Sequence, residues 1–294
     1  MLIFLRETVL QTLFRLIARL PLPWLHALGA ALGWIAYGCS PSYAARLREN
    51  IRNSKLCEPA DCNELIRRAV AESGKGVTEI VALWFAPDNR IRGWARCNTW
   101  HVAEQAHARG QGIVFLTPHF GGFEICAQYI AQRMPITVMY RPPKLRWLEP
   151  LMIAGRSRCG AAVVPATLKG VRAFFRALKN GQAVGLLPDQ TPGVGEGTWA
   201  AFFGRPAYTM TLVTRLQAST GAAVIMAHAE RLASGAGYHI HFENLPVENF
   251  AEFSMNRAIE DVVRRCPEQY LWGYNRYKTP AGTATEGGRM KDEG

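Results

Sequence analysis

The stretch that decides the fold spans residues 112–124 and reads GIVFLTPHFGGFE. Its first six residues, 112–117, form a continuous apolar run, which is typical of a strand buried on both faces of a sheet. Two adjacent glycines follow and permit a tight turn. A helical pattern then begins and covers 122–133. The stretch therefore predicts a buried strand, a turn and a helix in direct succession.

The same alternation continues toward the carboxyl terminus. Further short apolar runs predict strands at 136–140, 161–164, 183–187, 222–231 and 238–243. Helical patterns predict helices at 148–158, 168–180 and 251–265, and three earlier ones at 63–73, 78–85 and 102–109. Alternating strands and helices are typical of βαβ units. We therefore expect an α/β fold with a central, mostly parallel mixed sheet flanked by helices.

The N-terminal region has a different character. Residues 20–45 contain no Lys, Arg, Asp or Glu, and the segment before them places Arg15 and Arg19 among apolar residues. The apolar part is at the short limit for a spanning helix, about 17–25 residues, and the segment before it resembles an amphipathic interfacial helix. A membrane anchor that spans or lies on the bilayer fits this pattern, and so does a pair of buried helices.

These observations predict the division of the chain. Residues 1–45 are expected to be a membrane-associated helical segment, residues 46–279 an α/β catalytic domain, and residues 280–294 a flexible tail rich in Gly, Thr and charge. The basic residues that follow the first segment, from Arg46 to Lys55, place that flank on the cytoplasmic side by the positive-inside rule.

Composition narrows the class of protein. Hydrophobic residues make up 49% of the 294 residues, which excludes a disordered chain. The formal net charge of +11 favours an anionic partner: a membrane surface, a nucleic acid or an acidic protein. The seven cysteines contain no C-x-x-C spacing, so we expect neither a disulfide framework nor a zinc site. A reducing compartment fits this cysteine usage best.

His119 and Glu124 are the candidates for chemistry. Both follow the predicted strand at 112–117, and the carboxyl ends of such strands are where open α/β sheets place their sites. A carboxylate that orients an imidazole makes it a general base able to take a proton from a hydroxyl. A buried histidine that only makes hydrogen bonds fits the same spacing, so both interpretations remain open at this point.

Four sequence blocks together resemble one family. In order they are PHFGGFE at 118–124, YRPP at 140–143 with 156–160, LPDQ at 187–190 leading to FFGRPA at 202–207, and PEQYLW at 267–272 followed by Arg276. With these blocks the sequence resembles the late (secondary) acyltransferases of lipid A biosynthesis, of the lauroyl/myristoyl type, within the lysophospholipid acyltransferase superfamily. The resemblance covers nearly the whole chain.

The resemblance implies a glycerolphosphate-acyltransferase-like fold and a membrane-bound enzyme of lipopolysaccharide biosynthesis. It implies transfer of a fatty acyl chain from acyl carrier protein to a hydroxyl of a lipid A precursor, at the cytoplasmic face of the inner membrane, with neither cofactor nor metal. His119 and Glu124 match the family's His-x-x-x-x-Asp/Glu signature as a catalytic dyad. One departure is Tyr274-Asn275, where many members carry His-Arg, and it puts in doubt any role for that pair.

Further residues of these blocks are expected to bind substrate. They are Arg141, Arg156, Asp189, Gln190, Phe203, Gly204, Arg205 and Arg276. The arginines are candidates for lipid A phosphates, because guanidinium forks match phosphate geometry. The Asp189-Gln190 loop is expected to position substrate or to pair with Arg141. Phe203 is a candidate for lining an acyl-chain pocket.

Other functions remain open on the sequence alone. An acyltransferase with another phospholipid, glycolipid or ornithine-type acceptor uses the same residues. A membrane-associated lipid hydrolase, in which His119 activates water, also fits. The alternative that is not an enzyme is a non-catalytic lipid- or nucleic-acid-binding protein in which His119 is structural. We expect no nucleic-acid partner, because the basic residues are dispersed and carry no known binding motif.

Overall fold

The structure is a computed structural model and describes residues 2–246 and 250–283. The helices in this part are α1 (Leu2–Ile17), α2 (Leu22–Cys39), α3 (Pro41–Ser54), α4 (Cys62–Phe85), α5 (Asp88–Trp94), α6 (His101–Ala108), α7 (Glu124–Ala131), α8 (Leu148–Arg156), α9 (Leu168–Lys179), α10 (Leu212–Thr220) and α11 (Glu252–Arg265). The strands are β1 (Ala95–Arg96), β2 (Ile113–Leu116), β3 (Ile136–Tyr140), β4 (Ala162–Pro165), β5 (Ala183–Leu186), β6 (Gly197–Phe202), β7 (Arg205–Met210), β8 (Ala223–Arg231) and β9 (Tyr238–Leu245).

Among the described residues, seven strands form one sheet in the order β1-β9-β8-β2-β5-β3-β4. β2 pairs in parallel with β5 and β8, and β3 pairs in parallel with β4 and β5. β9 runs antiparallel to β8 and parallel to β1. The expectation of a mostly parallel mixed sheet flanked by helices is confirmed.

Hydrophobic cores lie on both faces of this sheet. Along β2, Val114 and Leu116 point to one core, with α3, α9, α10 and α11. Ile113 and Phe115 point to the other, with α2, α6 and α7. This division follows from the strand geometry, because successive side chains point to opposite faces. A strand covered on both faces needs apolar residues at every position, which is why the run at 112–117 is continuous.

Most predicted elements match, but α3, α5, α10 and β1 are absent from the predictions, and two further regions differ. The patterns at 63–73 and 78–85 belong to one helix, α4. The antiparallel hairpin of β6 and β7 is absent from the predictions. Its two-residue turn, Phe203-Gly204, has φ values of 47° and 72°. Such a turn normally carries Asn-Gly or another Gly pair, and a phenylalanine at positive φ leaves no recognisable signal.

Helix α2 packs along α4 through glycines. A Cβ atom at Gly33 would lie 2.3 Å from the carbonyl oxygen of Val70, and one at Gly74 would lie 2.0 Å from the carbonyl oxygen of Gly29. These glycines therefore let the two backbones approach closely. Across the described part of the chain, no helix has both the length and the apolar character that crossing a membrane requires. Of the predicted tail, residues 284–294 lie outside the described residues.

One disulfide differs from the expectation drawn from cysteine spacing. Cys57 and Cys62 are bonded, with their Cα atoms 5.2 Å apart. Cys62 begins α4, and Cys57 lies in the short connection that precedes it. The turn between these two helices brings the cysteines together, which spacing alone does not indicate. The other five cysteines are free thiols.

A buried ionic network joins α2, α4 and β8. The carboxylate of Glu79 accepts hydrogen bonds from Nε and Nη2 of Arg231, at 2.5 and 2.7 Å, and lies 2.7 Å from Nε2 of His26. Arg231 also pairs with Glu72. Burial by itself raises the pKa of Glu79, but Arg231 and His26 outweigh that effect and lower it to about 2.

We expect Gly33→Ala to destabilise the protein by about 1–3 kcal/mol, because the added methyl group meets backbone that cannot move aside. Gly38→Ala is the matched control on the same helix, since a Cβ atom there meets nothing within 4 Å. It should stabilise by about 0.5–1 kcal/mol through helix propensity. Denaturant unfolding of both variants measures the difference, and equal effects of the two would contradict the close packing.

We expect Glu79→Gln to destabilise the protein by about 3–5 kcal/mol at neutral pH, because Arg231 loses its buried counter-charge. The folded-state pKa of Glu79 is depressed, so its carboxylate stabilises above pH 4.5 and loses that effect as the pH falls toward 2. The stability gap between variant and parent should therefore shrink below pH 4.5 in urea unfolding. Glu64→Gln, which breaks an exposed pair with Arg67, should change little at any pH.

Candidate active site

A cleft of about 250 Å³ opens beyond the carboxyl ends of β2, β3, β4 and β5. Its polar lining comprises His119, Tyr140, Arg141, Arg156 and Gln190. Its apolar lining comprises Met139, Met152, Ala166, Leu186, Leu187, Met210 and Leu212. This is the edge at which parallel α/β sheets place ligands, and it holds the candidate histidine.

The imidazole of His119 is held by Asp189. Nδ1 of His119 lies 2.8 Å from Oδ1 of Asp189, and the backbone N–H of His119 donates to Oδ2 at 2.9 Å. The carboxylate is 2% exposed. Burial raises its pKa, but the facing imidazole and the hydrogen bonds from His119 outweigh this, and the pKa of Asp189 is lowered. An ionised Asp189 therefore favours the tautomer in which Nδ1 carries the proton.

The pairing follows from strand register. Leu116 in β2 lies opposite Leu186 in β5. His119 and Asp189 each come three residues after those partners, so both reach the same point at the sheet edge. Nε2 of His119 then faces the cleft, 3.1 Å from Nε2 of Gln190.

The turn that carries His119 is fixed through its backbone. The carbonyl of His119 accepts from the N–H of Leu271, and the N–H of Gly121 donates to the carbonyl of Gln269, both at 3.0 Å. The carbonyl of Gly121 accepts from Nη2 of Arg231 at 3.1 Å. Gly121 has a φ of 53°, and a Cβ atom there would lie 2.0 Å from the carbonyl oxygen of Ala229. Only glycine fits this position.

Glu124 makes a different set of contacts from those predicted. Its carboxylate accepts from Nε and Nη2 of Arg156 at 2.7 and 3.0 Å, and from Nε1 of Trp84 at 2.9 Å. Burial raises the pKa of Glu124, but Arg156 and Trp84 outweigh it and lower the pKa. In this geometry the hydrogen bonds of Glu124 go to Arg156 and Trp84, and its predicted role beside His119 stays a prediction. Glu124 lies five residues after His119, at the start of α7. Nδ1 of His119 is bound instead by Asp189, which follows the neighbouring strand β5.

An apolar slot of about 40 Å³ adjoins the cleft, between the sheet and α7. Phe115, Ala127, Ile130, Val138 and Gly185 line it, among others. The Arg156–Glu124 pair lies at its polar end. The slot and the cleft meet at the four residues that line both: Met139, Arg156, Leu186 and Leu187.

The loop after Asp189 is held by the fourth sequence block. The N–H of Thr191 donates to the hydroxyl oxygen of Tyr274 at 3.0 Å, and the Thr191 hydroxyl donates to the carbonyl of Arg276 at 3.2 Å. Tyr274 stands where many family members were expected to carry histidine. Its observed contact is with the loop that carries Asp189.

Five predicted substrate-binding residues do not line the cleft: Asp189, which binds His119 instead, Phe203, Gly204, Arg205 and Arg276. Phe203 and Gly204 form the β6–β7 turn, and Phe203 packs against Trp272 in the core. Arg205 lies over the Tyr277 ring, 4.0 Å from its centroid. Their place is set by the hairpin, which the sequence analysis did not predict.

Arg276 is 2% exposed. Its guanidinium donates to the carbonyl of Tyr208, the hydroxyl of Thr209 and the side-chain oxygen of Asn256, at 2.7 to 3.2 Å. These neutral acceptors bind Nη1 and Nη2, the two nitrogens at the end of the guanidinium. The structure therefore places Arg276 as a support of the β7 strand and of the Asp189 loop.

Arg141, Arg156 and Gln190 do line the cleft, as expected. Arg141 is exposed at the rim, and its predicted alternative pairing with Asp189 is replaced by the His119 contact. Trp84 was missed, because a tryptophan 40 residues upstream in a helical pattern carries no signal for a contact with Glu124. Within residues 2–246 and 250–283, no group of three His, Cys, Asp or Glu side chains is placed to hold a metal ion.

Comparison with known proteins gives one family. The family described as bacterial lipid A biosynthesis acyltransferase matches residues 5–279. The chain is 31% identical over 278 residues to the lipid A biosynthesis palmitoleoyltransferase of Escherichia coli (strain K12), covering 91% of this chain and 89% of that protein. It is 28% identical over 278 residues to the lipid A biosynthesis lauroyltransferase of the same organism, covering 90% and 88%.

A third relative comes from another genus. A lipid A biosynthesis acyltransferase of Haemophilus influenzae (strain ATCC 51907 / DSM 11121 / KW20 / Rd) is 27% identical over 287 residues, covering 91% of this chain and 88% of that protein. The agreement extends over nearly the full length in each case. The chain therefore belongs to the bacterial lipid A biosynthesis acyltransferase family, and is an enzyme that transfers acyl groups.

Proposed function

We propose that this protein transfers a fatty acyl chain from acyl carrier protein to a hydroxyl of a lipid A precursor, at the cytoplasmic face of the inner membrane. The observation that carries the proposal is the His119–Asp189 pair at the cleft. A buried carboxylate holds Nδ1, and Nε2 lies at the cleft beside the amide of Gln190, where the acceptor hydroxyl would take the place of that amide; this is the arrangement of a general base.

In the proposed reaction, Nε2 of His119 takes the proton of the acceptor hydroxyl. The resulting oxygen nucleophile attacks the carbonyl carbon of the donor thioester, and a tetrahedral oxyanion forms. The C–S bond then breaks, and the thiolate receives the proton from the imidazolium. The products are an ester and a free thiol, so atoms and charge balance without a covalent enzyme intermediate. Asp189 stabilises the imidazolium between the two proton transfers.

Arg156 is the proposed anion-stabilising group of the cleft. Its Nε and Nη2 atoms are bound by Glu124, and within the described residues no hydrogen bond is made by Nη1. A guanidinium fixed on one edge by a carboxylate presents its remaining donor in a set direction, which suits an oxyanion or a phosphate. Arg141 at the rim is the proposed contact for a phosphate of the acceptor.

The proposed membrane contact is the outer face of α2. Trp24, Leu28, Leu32 and Ile35 are exposed and follow one another at intervals of four, four and three residues, so they share one face of the helix. Trp24 is 69% exposed and Ile35 is 60% exposed. An apolar stripe of this kind on a soluble surface is unusual and fits a helix lying in the bilayer interface.

We expect the purified protein, in detergent, to add one acyl chain to a tetraacylated, sugar-primed lipid A precursor supplied with acyl carrier protein thioesters of ten to sixteen carbons. His119→Ala should lower this rate by about 10²–10⁴-fold, because the general base is removed. Product mass spectrometry measures both. A His119→Ala enzyme with the parent's rate would refute the mechanism.

The same assay separates the alternatives. Free fatty acid beside unchanged precursor would indicate a lipid hydrolase in which His119 activates water. No product from a folded protein would direct the search to phospholipid, glycolipid or ornithine-type acceptors, and the transferase proposal for lipid A precursors would fail.

We expect Asp189→Asn to lower kcat by at least about a hundredfold with KM little changed, because the amide no longer holds the imidazole in its reactive tautomer. Removing the negative charge also destabilises the imidazolium, so the acid limb of the kcat/KM profile should move to lower pH. A role for Asp189 confined to folding would lower the amount of active enzyme and leave that limb in place.

Glu124→Gln is the matched comparison for the second carboxylate. Because Glu124 compensates the charge of Arg156, its loss leaves one unpaired positive charge near the cleft, and the acid limb should move to lower pH by less than in Asp189→Asn, which removes the carboxylate bound to the imidazole. Glu124→Gln should lower kcat instead, because the guanidinium of Arg156 loses the carboxylate that holds it in position to stabilise the transition state. A larger shift of the limb in Glu124→Gln than in Asp189→Asn would assign the orienting carboxylate to Glu124 instead.

A further inference from the structure

Helix α9 carries a single stripe of cations on its outer face. Lys169, Arg172, Arg176 and Lys179 are all exposed and are separated by three, four and three residues. This spacing places the four side chains on one side of the helix. The helix contains no Asp or Glu, so nothing along its own surface offsets this charge.

The neighbouring helix extends the charged surface. α10 packs against α9, and Arg215 on α10 is exposed. α10 also contains no acidic residue. In the described part of the chain, none of these five cations lies within 4.0 Å of a carboxylate oxygen, whereas many of the other arginines described there form ion pairs. The five residues are called the α9 basic surface below.

The α9 basic surface begins at the rim of the cleft. β4 ends at Pro165, Ala166 lines the cleft, and α9 starts two residues later at Leu168. Leu168 is 77% exposed, so an apolar side chain stands at the end of the stripe nearest the cleft. From Lys169 to Lys179 the stripe extends about 15 Å away from the cleft, at 1.5 Å per residue.

We propose that the α9 basic surface is the docking site for the acidic carrier protein that brings the acyl thioester. This inference rests on the proposed function, since it assigns a surface to the donor named there. Charge complementarity supports it, because an acidic protein domain would neutralise a stripe that pairs with no carboxylate among the described residues. Docking beside the rim places the carrier's thioester arm at the entrance of the cleft.

The position of the stripe favours a protein over a lipid surface. A helix that lies in a membrane exposes its apolar face, but the apolar face of α9 is buried, with Phe174, Ala177 and Leu178 in the core. The exposed apolar stripe belongs to α2, whose Leu22 and Leu25 lie in the core on the other face of the sheet. The two surfaces therefore lie on different helices, one apolar and one basic.

The test compares Arg172→Glu/Arg176→Glu with the parent on two donors. One donor is the acyl carrier protein thioester, and the other is the uncharged acyl-pantetheine thioester, which has the same reactive group and no protein. The variant should raise KM for the carrier donor by about tenfold or more, as expected for loss of electrostatic attraction. Its kcat/KM for acyl-pantetheine should stay at the parent's value.

Arg92→Glu/Arg109→Glu is the matched control. Both residues are exposed near helix ends, they pair with no carboxylate in the described part of the chain, and their helices pack on the other face of the sheet. This control changes the net charge by the same amount and should leave KM for the carrier donor unchanged. Higher salt should raise the parent's KM for the carrier donor and reduce the difference in KM between the parent and the α9 variant.

Direct binding keeps this inference separate from the proposed function. Holo acyl carrier protein, titrated without substrate, should bind the parent and the control and should bind the α9 variant about tenfold more weakly. If the parent transfers an acyl chain from neither donor, the proposed function is wrong. The binding measurement then still tests whether the carrier protein binds the α9 basic surface. Equal losses with both donors, equal losses in the control, or unchanged carrier binding would overturn the docking proposal. Loss of sedimentation with phosphatidylglycerol vesicles at unchanged carrier binding would assign the stripe to lipid.

Discussion

The placement of the candidate site depends on one buried cation, Arg231. A guanidinium taken out of water is costly unless its donors are paired. In this protein Glu79 occupies two of its nitrogens, and one of those nitrogens also donates to the carbonyl of Gly121. The pair joins α4 and β8 to the turn that follows β2. Because His119 lies two residues before that carbonyl, a core interaction restrains the position of the reactive imidazole.

Two carboxylates near the cleft have separate contacts. Asp189 is bound to the imidazole of His119, and Glu124 is bound to the guanidinium of Arg156. Each is ionised in a buried position because a facing cation or hydrogen-bond donor outweighs the cost of burial. In the proposed reaction this separation lets one carboxylate support proton transfer while the other directs a positive charge at the reacting carbonyl. The two roles can therefore be tested by two single variants.

The two sides of the sheet carry different outer surfaces. On one side the glycines of α2 bring it against α4, and its outer face exposes Trp24, Leu28, Leu32 and Ile35. On the other side α9 buries its apolar residues and exposes cations. One group of exposed cations without a described ion pair, on α9, begins beside the cleft. A lipid acceptor and an acidic protein donor would approach from different directions in this arrangement.

The sequence by itself determined the layered α/β architecture and the position of His119 at a strand end. Continuous apolar runs such as 136–140 are typical of strands that are covered on both faces, and such a run can be recognised from the local sequence. It did not indicate the Phe203-Gly204 hairpin, whose turn uses an atypical residue. Nor did it identify the partner of His119, because nearness along the chain favoured Glu124. Only the tertiary structure identified Asp189, 70 residues away, as the partner of His119. The parallel register of β2 and β5 brings the two strand ends together.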